Sequence, residues 1–230
     1  VFHRARRGGN YLRSPRRGNL QDRRRREATR IRKAGSGRGR LIVVRWRFAE
    51  GVRAAMPSKA VTLDEKLSVA INDADEAEVE ALLAKGADPN YENPLGFTQL
   101  MVACENCDPS LIRVLLKAGG DLSKVSFYQR TPLSFAIVNN NVDVVKMLLE
   151  MDMNLEQRIM EENYTYLIYA AKWGFKEICE RLVGKGLDVD LTDRDGLTAI
   201  DHARRGRYNI TAAFLEEAAR KKRNRSVSAA

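Results

Sequence analysis

Residues 81–90 read Ala81-Leu82-Leu83-Ala84-Lys85-Gly86-Ala87-Asp88-Pro89-Asn90: an apolar pair, a glycine three residues on, then an acidic turn with proline. The pair returns as Leu115-Leu116, Leu148-Leu149, Leu182-Val183 and Phe214-Leu215, five copies in all. A second marker keeps the same step. Thr98, Thr131, Thr165 and Thr198 are 33, 34 and 33 residues apart, with Leu100, Leu133, Leu167 and Ile200 two places later. Ala103, Ala136, Ala170 and Ala203 follow five places after each threonine. A fixed period of this length is the signature of stacked units that bury their apolar faces against one another.

Inside one unit the apolar residues fall at helical spacing. Leu100 and Ala103 share a face of a first helix, and Leu111, Val114, Leu115 and Leu116 line a second. Asn140 and Gly174 stand between the helices and Gly86, Gly119 and Gly186 after them, residues that tolerate the left-handed conformation of a helix end. Each unit is therefore expected to be a helical hairpin. The fold class is all-α, a solenoid of about five stacked helix-turn-helix units with short hairpin-like loops, at about 63–92, 93–125, 126–159, 160–192 and 193–218 within a 56–218 domain.

The stretch 81–90 resembles the ending of an ankyrin repeat. Arg130-Thr131-Pro132-Leu133 resembles the family's Thr-Pro-Leu-His opening, Asp195-Gly196-Leu197-Thr198 resembles its Asp-x-x-Gly-x-Thr lead-in in shifted form, and Ala170-Ala171-Lys172-Trp173-Gly174 resembles its helix end. Four departures matter. The family histidine is replaced by Met101, Ser134, Ile168 and Asp201, which points to weaker hydrogen bonding between units. The third ending, Met151-Asp152-Met153-Asn154, has no glycine, and the next opening comes one residue late, so an irregular loop is expected over 154–164. The first unit lacks a Thr-Pro opening and carries Asp73, Asp75, Glu76, Glu78 and Glu80. The last is one residue short near Gly206 and runs into Glu216 and Glu217, so both read as polar outer caps.

The resemblance implies a non-catalytic module, an adaptor or scaffold, that meets a protein partner through its concave face of loop tips and first-helix ends. The positions so implicated are rich in the residue types that interfaces favour. They include Phe97, Phe127, Tyr128, Arg130, Tyr164, Lys172, Trp173 and Arg205, with Pro94 and Leu95 at the first tip. Two placements stay open for Phe97, Phe127 and Tyr164: packed against neighbouring loops, or presented to the partner. Phe127, Tyr128, Tyr164 and Trp173 are expected to form one contiguous patch, with Trp173 as its strongest contact.

Catalysis has little material. The two histidines are His3 and His202, so no histidine metal cluster and no Ser/His/Asp triad can be assembled in the repeats. Cys104-Glu105-Asn106-Cys107 has C-x-x-C spacing but lacks a second ligand pair, and its cysteines occupy a small-residue and a helix-end position, so packing is the expected role; Cys179 is expected in the core. No cofactor, no metal and no catalytic residue are expected. Three cysteines cannot form a fully paired disulfide framework, which suits a cytoplasmic or nuclear monomer.

The net charge of +10 divides unevenly. Residues 1–55 hold 18 Lys and Arg against 3 Asp and Glu, a net +15, while the remainder holds 22 against 27, a net −5. The folded part is mildly acidic, which weakens the nucleic-acid reading of the total. The Arg/Gly-rich segment 1–55 cannot build a core and is expected to be disordered. Three readings stand for it: a basic arm, an organelle transit peptide, or translated leader ahead of Met56. The tail 219–230 contains Arg220-Lys221-Lys222-Arg223-Asn224-Arg225-Ser226-Val227-Ser228, with arginine three residues before Ser226 and Ser228. It reads as an import signal, as a site for a basophilic kinase, or as a solvated helix end. No apolar run is long enough for a membrane span. The rival function is an RNA- or ribosome-associated factor using the basic termini as arms.

Overall fold

The computed structural model describes residues 61–94 and 96–228, side chains excepted at Asn106 and beyond Asn224. The segment 1–55, Leu95 and the side chains of Ser226 and Ser228, to which the sequence assigns roles, lie outside the described residues. Among the described residues there are ten helices. They are α1 (Leu63–Asn72), α2 (Glu76–Ala84), α3 (Gln99–Asn106), α4 (Pro109–Lys117), α5 (Pro132–Val138), α6 (Val142–Leu149), α7 (Tyr166–Lys172), α8 (Lys176–Gly184), α9 (Ala199–Arg205) and α10 (Asn209–Ser228). Each odd helix packs on the even helix that follows it, odd helices stack on odd and even on even, so five helical hairpins form a two-layer ladder.

A threonine starts every odd helix. The hydroxyls of Thr62, Thr98, Thr131, Thr165 and Thr198 each accept the N–H three residues on. At Thr62, Thr131 and Thr198 the third residue, Glu65, Ser134 or Asp201, returns a bond to the threonine N–H and completes a reciprocal cap. Met101 and Ile168 hold the same position but are buried apolar side chains that cap nothing. Thr62-Leu63-Asp64-Glu65 is thus the opening of the first unit, 36 residues before Thr98 and off the period.

The even helices stop where the glycines stand. Gly86, Gly119 and Gly186 take φ of +92°, +94° and +90°, and behind them Ala87, Gly120 and Leu187 donate to Leu82, Leu115 and Leu182, which closes the last turn. After α6, where Asp152 stands in place of glycine and is not left-handed, the turn closes by the shorter bond from the Met151 N–H to the Leu148 carbonyl. Between the helices of a unit, Asn140 and Gly174 take the left-handed conformation as expected, and Ala74 and Arg207 do the same. Cys107 remains extended at φ −111°, and its thiol donates to the Ile71 carbonyl at 3.2 Å.

Leu82, Leu100, Leu115, Leu133, Leu148, Leu167, Leu182 and Leu215 form the shared seam and are essentially removed from water, each worth about 1.5–3 kcal/mol of burial. Polar bonds made by residues other than the missing histidines cross every junction. Gln99 donates to Ser68 at 2.6 Å, Asn141 to the Cys107 carbonyl at 3.2 Å, and Thr211 to the Gly174 carbonyl at 3.0 Å. Between the third and fourth units the Thr131 and Tyr166 hydroxyls meet at 3.0 Å.

The hairpins joining the units place the tips. Asn93–Phe97, Ser126–Arg130 and Asp193–Leu197 are five-residue turns in which the first residue's side chain accepts the last residue's N–H. Between Ile159 and Tyr164 the turn has one residue more, the two residues exchange both main-chain bonds, and Met160 and Asn163 are both left-handed. This is the irregular loop expected over 154–164. The basic tail continues α10 as helix through Ser228, so the division at 218/219 falls inside one element. Lys222 pairs with Asp188 and, at 2.9 Å, with Asp190; Lys221 pairs with Glu217. No helix of the described residues is long and apolar enough to cross a membrane.

Candidate partner-binding face

Counting from each capping threonine shows which side chains share the hairpin side of the ladder. One residue before stand Phe97, Arg130, Tyr164 and Leu197; four after, Phe135, Tyr169 and His202; seven after, Glu105, Val138, Lys172 and Arg205. Residues four and seven along a helix lie on one face, so adjacent units lay these positions side by side.

The result is an unbroken line of ring and cation contacts over four units. Phe97 stands 6.1 Å from Tyr128 and meets Phe135 edge-on at 5.0 Å. The Arg130 guanidinium lies 4.0 Å over the centre of the Phe135 ring and donates to the Tyr169 hydroxyl at 3.5 Å. Tyr169 stacks on Tyr164, centres 6.2 Å apart and planes 20° apart, and Lys172 donates to the Tyr164 hydroxyl at 2.8 Å. Tyr164 meets the His202 ring edge-on at 5.4 Å, and Asp193 accepts from His202 Nε2 at 2.7 Å.

Of the residues singled out from sequence, Phe127 is 57% exposed and Trp173 40% exposed. Arg205 is exposed, and Phe97, Tyr128, Arg130 and Lys172 are half-buried. Tyr164 is buried beneath Lys172 and beside His202, so it supports the face from below and is not a surface contact. The expected single patch also divides. Phe127 sits at a hairpin tip, its ring against Gly96, whereas Trp173 caps the far end of α7, next to the Gly174 on which the Tyr208 ring lies. A seven-residue helix separates tip from turn by about 10 Å.

Family models for ankyrin repeats match residues 67–159 and 167–215, in descriptions that specify three and many copies. The chain belongs to the ankyrin-repeat family. Among its ankyrin relatives, a putative ankyrin repeat protein of fowlpox virus, FPV014, is 27% identical over 142 residues, 62% of this chain and 32% of the viral one. The putative ankyrin repeat protein YahD of Escherichia coli is 28% identical over 60% of this chain and 71% of its own. The mitochondrial disaggregase of Bos taurus is 34% identical over 134 residues, 56% of this chain but 19% of the bovine protein. Against the viral and bovine relatives the chain therefore spans a third or less of the relative's length.

Three members of the ankyrin face escape a reading that looks only for exposed aromatics. Phe135, Tyr169 and His202 are nearly buried, at 2%, 4% and, for the histidine side chain, 10% exposure. The signal for them is their common place four residues after Thr131, Thr165 and Thr198. Asp193 opposes its own burial with bonds from His202 and from the Leu197 and Asp195 N–H groups, and these hold its carboxyl below the usual range. Burial pushes the Glu105 carboxyl up, with Arg130 nearby drawing it back. Burial likewise raises the thiols, Cys104 well above its ordinary value, Cys107 to about 11 and Cys179 to about 12, as packed side chains rather than nucleophiles. Among the described residues no three His, Cys, Asp or Glu side chains are grouped to hold a metal ion.

Proposed function

We propose that this ankyrin stack is a non-catalytic interaction module, an adaptor or scaffold, that binds a protein partner through its hairpin tips and the exposed ends of its odd helices. On this reading it works as a monomer in the cytoplasm or nucleus. The observation that carries the reading is Phe127, more than half exposed at a tip yet seated on the backbone of Gly96. A large rigid ring presented to water in one orientation has the properties of an interface anchor, since its ordering entropy is spent before binding. Trp173 presents a second such ring at the opposite edge. The RNA-arm alternative is weakened at the C-terminal end, where Lys221 and Lys222 are engaged with carboxylates of the chain itself.

A photo-crosslinking amino acid placed at Phe127 tests this against the same residue at the exposed Arg113 on α4, an outer-layer helix. Crosslinks to a protein partner are expected from position 127 and not from position 113. Phe127→Ala and Trp173→Ala should each weaken capture of that partner by about 2 kcal/mol. Equal crosslinking from both positions, or capture indifferent to both substitutions, would reject the concave face.

A further inference from the structure

Two cationic heads converge on one pair of stacked tyrosines in the middle of the face. Arg130 reaches across from the third unit to the Tyr169 hydroxyl at 3.5 Å, and Lys172 folds back to the Tyr164 hydroxyl at 2.8 Å. The two rings beneath are stacked and buried. Arg130 is only partly used by these contacts. Its plane is occupied by the Phe135 ring, its bond to Tyr169 is at the long limit, and its buried Nε has no hydrogen-bond partner. A guanidinium stacked in this way keeps the N–H groups of its terminal nitrogens in one plane, the geometry that meets a carboxylate.

The surrounding charge leaves a positive surplus at this point. Asp193 is committed to His202 and to two main-chain N–H groups, so the carboxylate that answers Arg130 from the face itself is Glu105. Further out, the tips carry Glu161, Glu162 and Asp195. A polyanion such as RNA would bring a continuous run of phosphates against those carboxylates. A single acidic side chain brings one negative charge and avoids that repulsion.

Resting on the interaction reading above, we propose that the partner is an acidic peptide segment whose Asp or Glu side chain binds between Arg130 and Lys172 over the Tyr164–Tyr169 pair. Glu105 lies near enough to Arg130 to act on it electrostatically and so opposes a second carboxylate there. Removing its charge is therefore expected to strengthen the complex, an effect that a merely structural Arg130 would not produce.

The test is selection of random 12-residue peptides displayed on phage against the full chain, followed by fluorescence titration of synthetic copies. Enrichment in Asp or Glu is expected. Arg130→Gln and Lys172→Gln should each weaken a selected peptide by roughly tenfold or more, the loss of one charge-assisted hydrogen bond, with Arg130→Lys between. Glu105→Gln should tighten it, and thermal midpoints establish that each variant folds. Peptides without acidic residues, peptides indifferent to these substitutions, or a selection with no enrichment overturn the proposal. If such non-acidic peptides are still weakened by Phe127→Ala, the interaction reading survives and only the acidic specificity falls. A labelled 20-nucleotide single-stranded RNA that binds through Arg130 and Lys172 with steep salt dependence overturns it in favour of nucleic acid.

Discussion

In the hairpin from Asp193 to Leu197, a buried carboxylate accepts the N–H groups of Asp195 and Leu197 and the His202 ring; in the hairpin from Ile159 to Tyr164, a fully buried isoleucine stands at the base of the turn. The first turn is fastened by its own side chain. The second is fastened by its neighbours: Met160 N–H donates to the Gln129 carbonyl, Arg194 N–H to the Glu162 carbonyl, and Arg158 to the Thr192 carbonyl at 2.9 Å. A stack of units tolerates an inserted residue at one tip because the lost local bonds are replaced by bonds between tips and by apolar burial. The irregular hairpin is also where the buried Tyr164 carries Lys172, so the departure from the period lies beneath the centre of the candidate site.

The two hairpins differ in what should break them. Ile159→Ala removes the apolar anchor of the irregular turn and is expected to cost about 2–5 kcal/mol in urea unfolding; a loss below 1 kcal/mol would show that the bonds between tips suffice. Asp193→Ala leaves two N–H groups and the histidine without an acceptor and should cost up to about 3 kcal/mol, against about 1 kcal/mol for Ser126→Ala, where one N–H loses its partner. Equal losses would make the histidine contact irrelevant to stability.

Two glycines sharpen the contrast between tips. Gly96 and Gly196 take φ of +73° and +74°, but a Cβ at Gly96 would lie 2.6 Å from the Phe127 ring whereas one at Gly196 meets nothing. Gly196→Ala should therefore cost only the backbone strain, about 1 kcal/mol. Gly96→Ala should cost about 2 kcal/mol and also weaken partner capture by turning Phe127 away. The smallest effect is with pH. The Asp193 carboxyl is depressed in the folded state, so its contribution is present above the unfolded value of about 3.9 and is lost as pH falls through the lower folded value. The stability of the wild type over Asp193→Asn, followed by urea midpoints, should shrink as pH falls below about 4. A difference that grew on acidification would reverse the assignment.

Much of this was legible in the residues, and unevenly so. The extra residue before Thr165 and the missing glycine at Asp152 announced the irregular turn. The acidic first unit concealed its own start, because Thr62 lies off the period although Thr62-Leu63-Asp64-Glu65 carries the capping pattern. The aromatic tips were visible as a class, but not their separate fates: Phe127 and Tyr164 both lie close before a capping threonine, and one faces water while the other is buried. The two differ in place: Phe127 stands four residues before Thr131, at the tip, and Tyr164 one residue before Thr165, where Lys172 reaches over it.

Period, helix caps and the leucine seam are local or nearest-neighbour properties, written into spacing and residue type, and for that reason the sequence by itself determined the family, the five stacked units and the side on which the tips emerge. Which side chains would meet across units was decided only in the tertiary structure. The line from Phe97 through Arg130, Tyr169 and Tyr164 to Asp193, and the engagement of Lys222 with Asp188 and Asp190, join residues about 30 positions or more apart at several steps. Such contacts depend on the rotation of one unit against the next, a sum of many small packing forces that no single stretch of chain encodes.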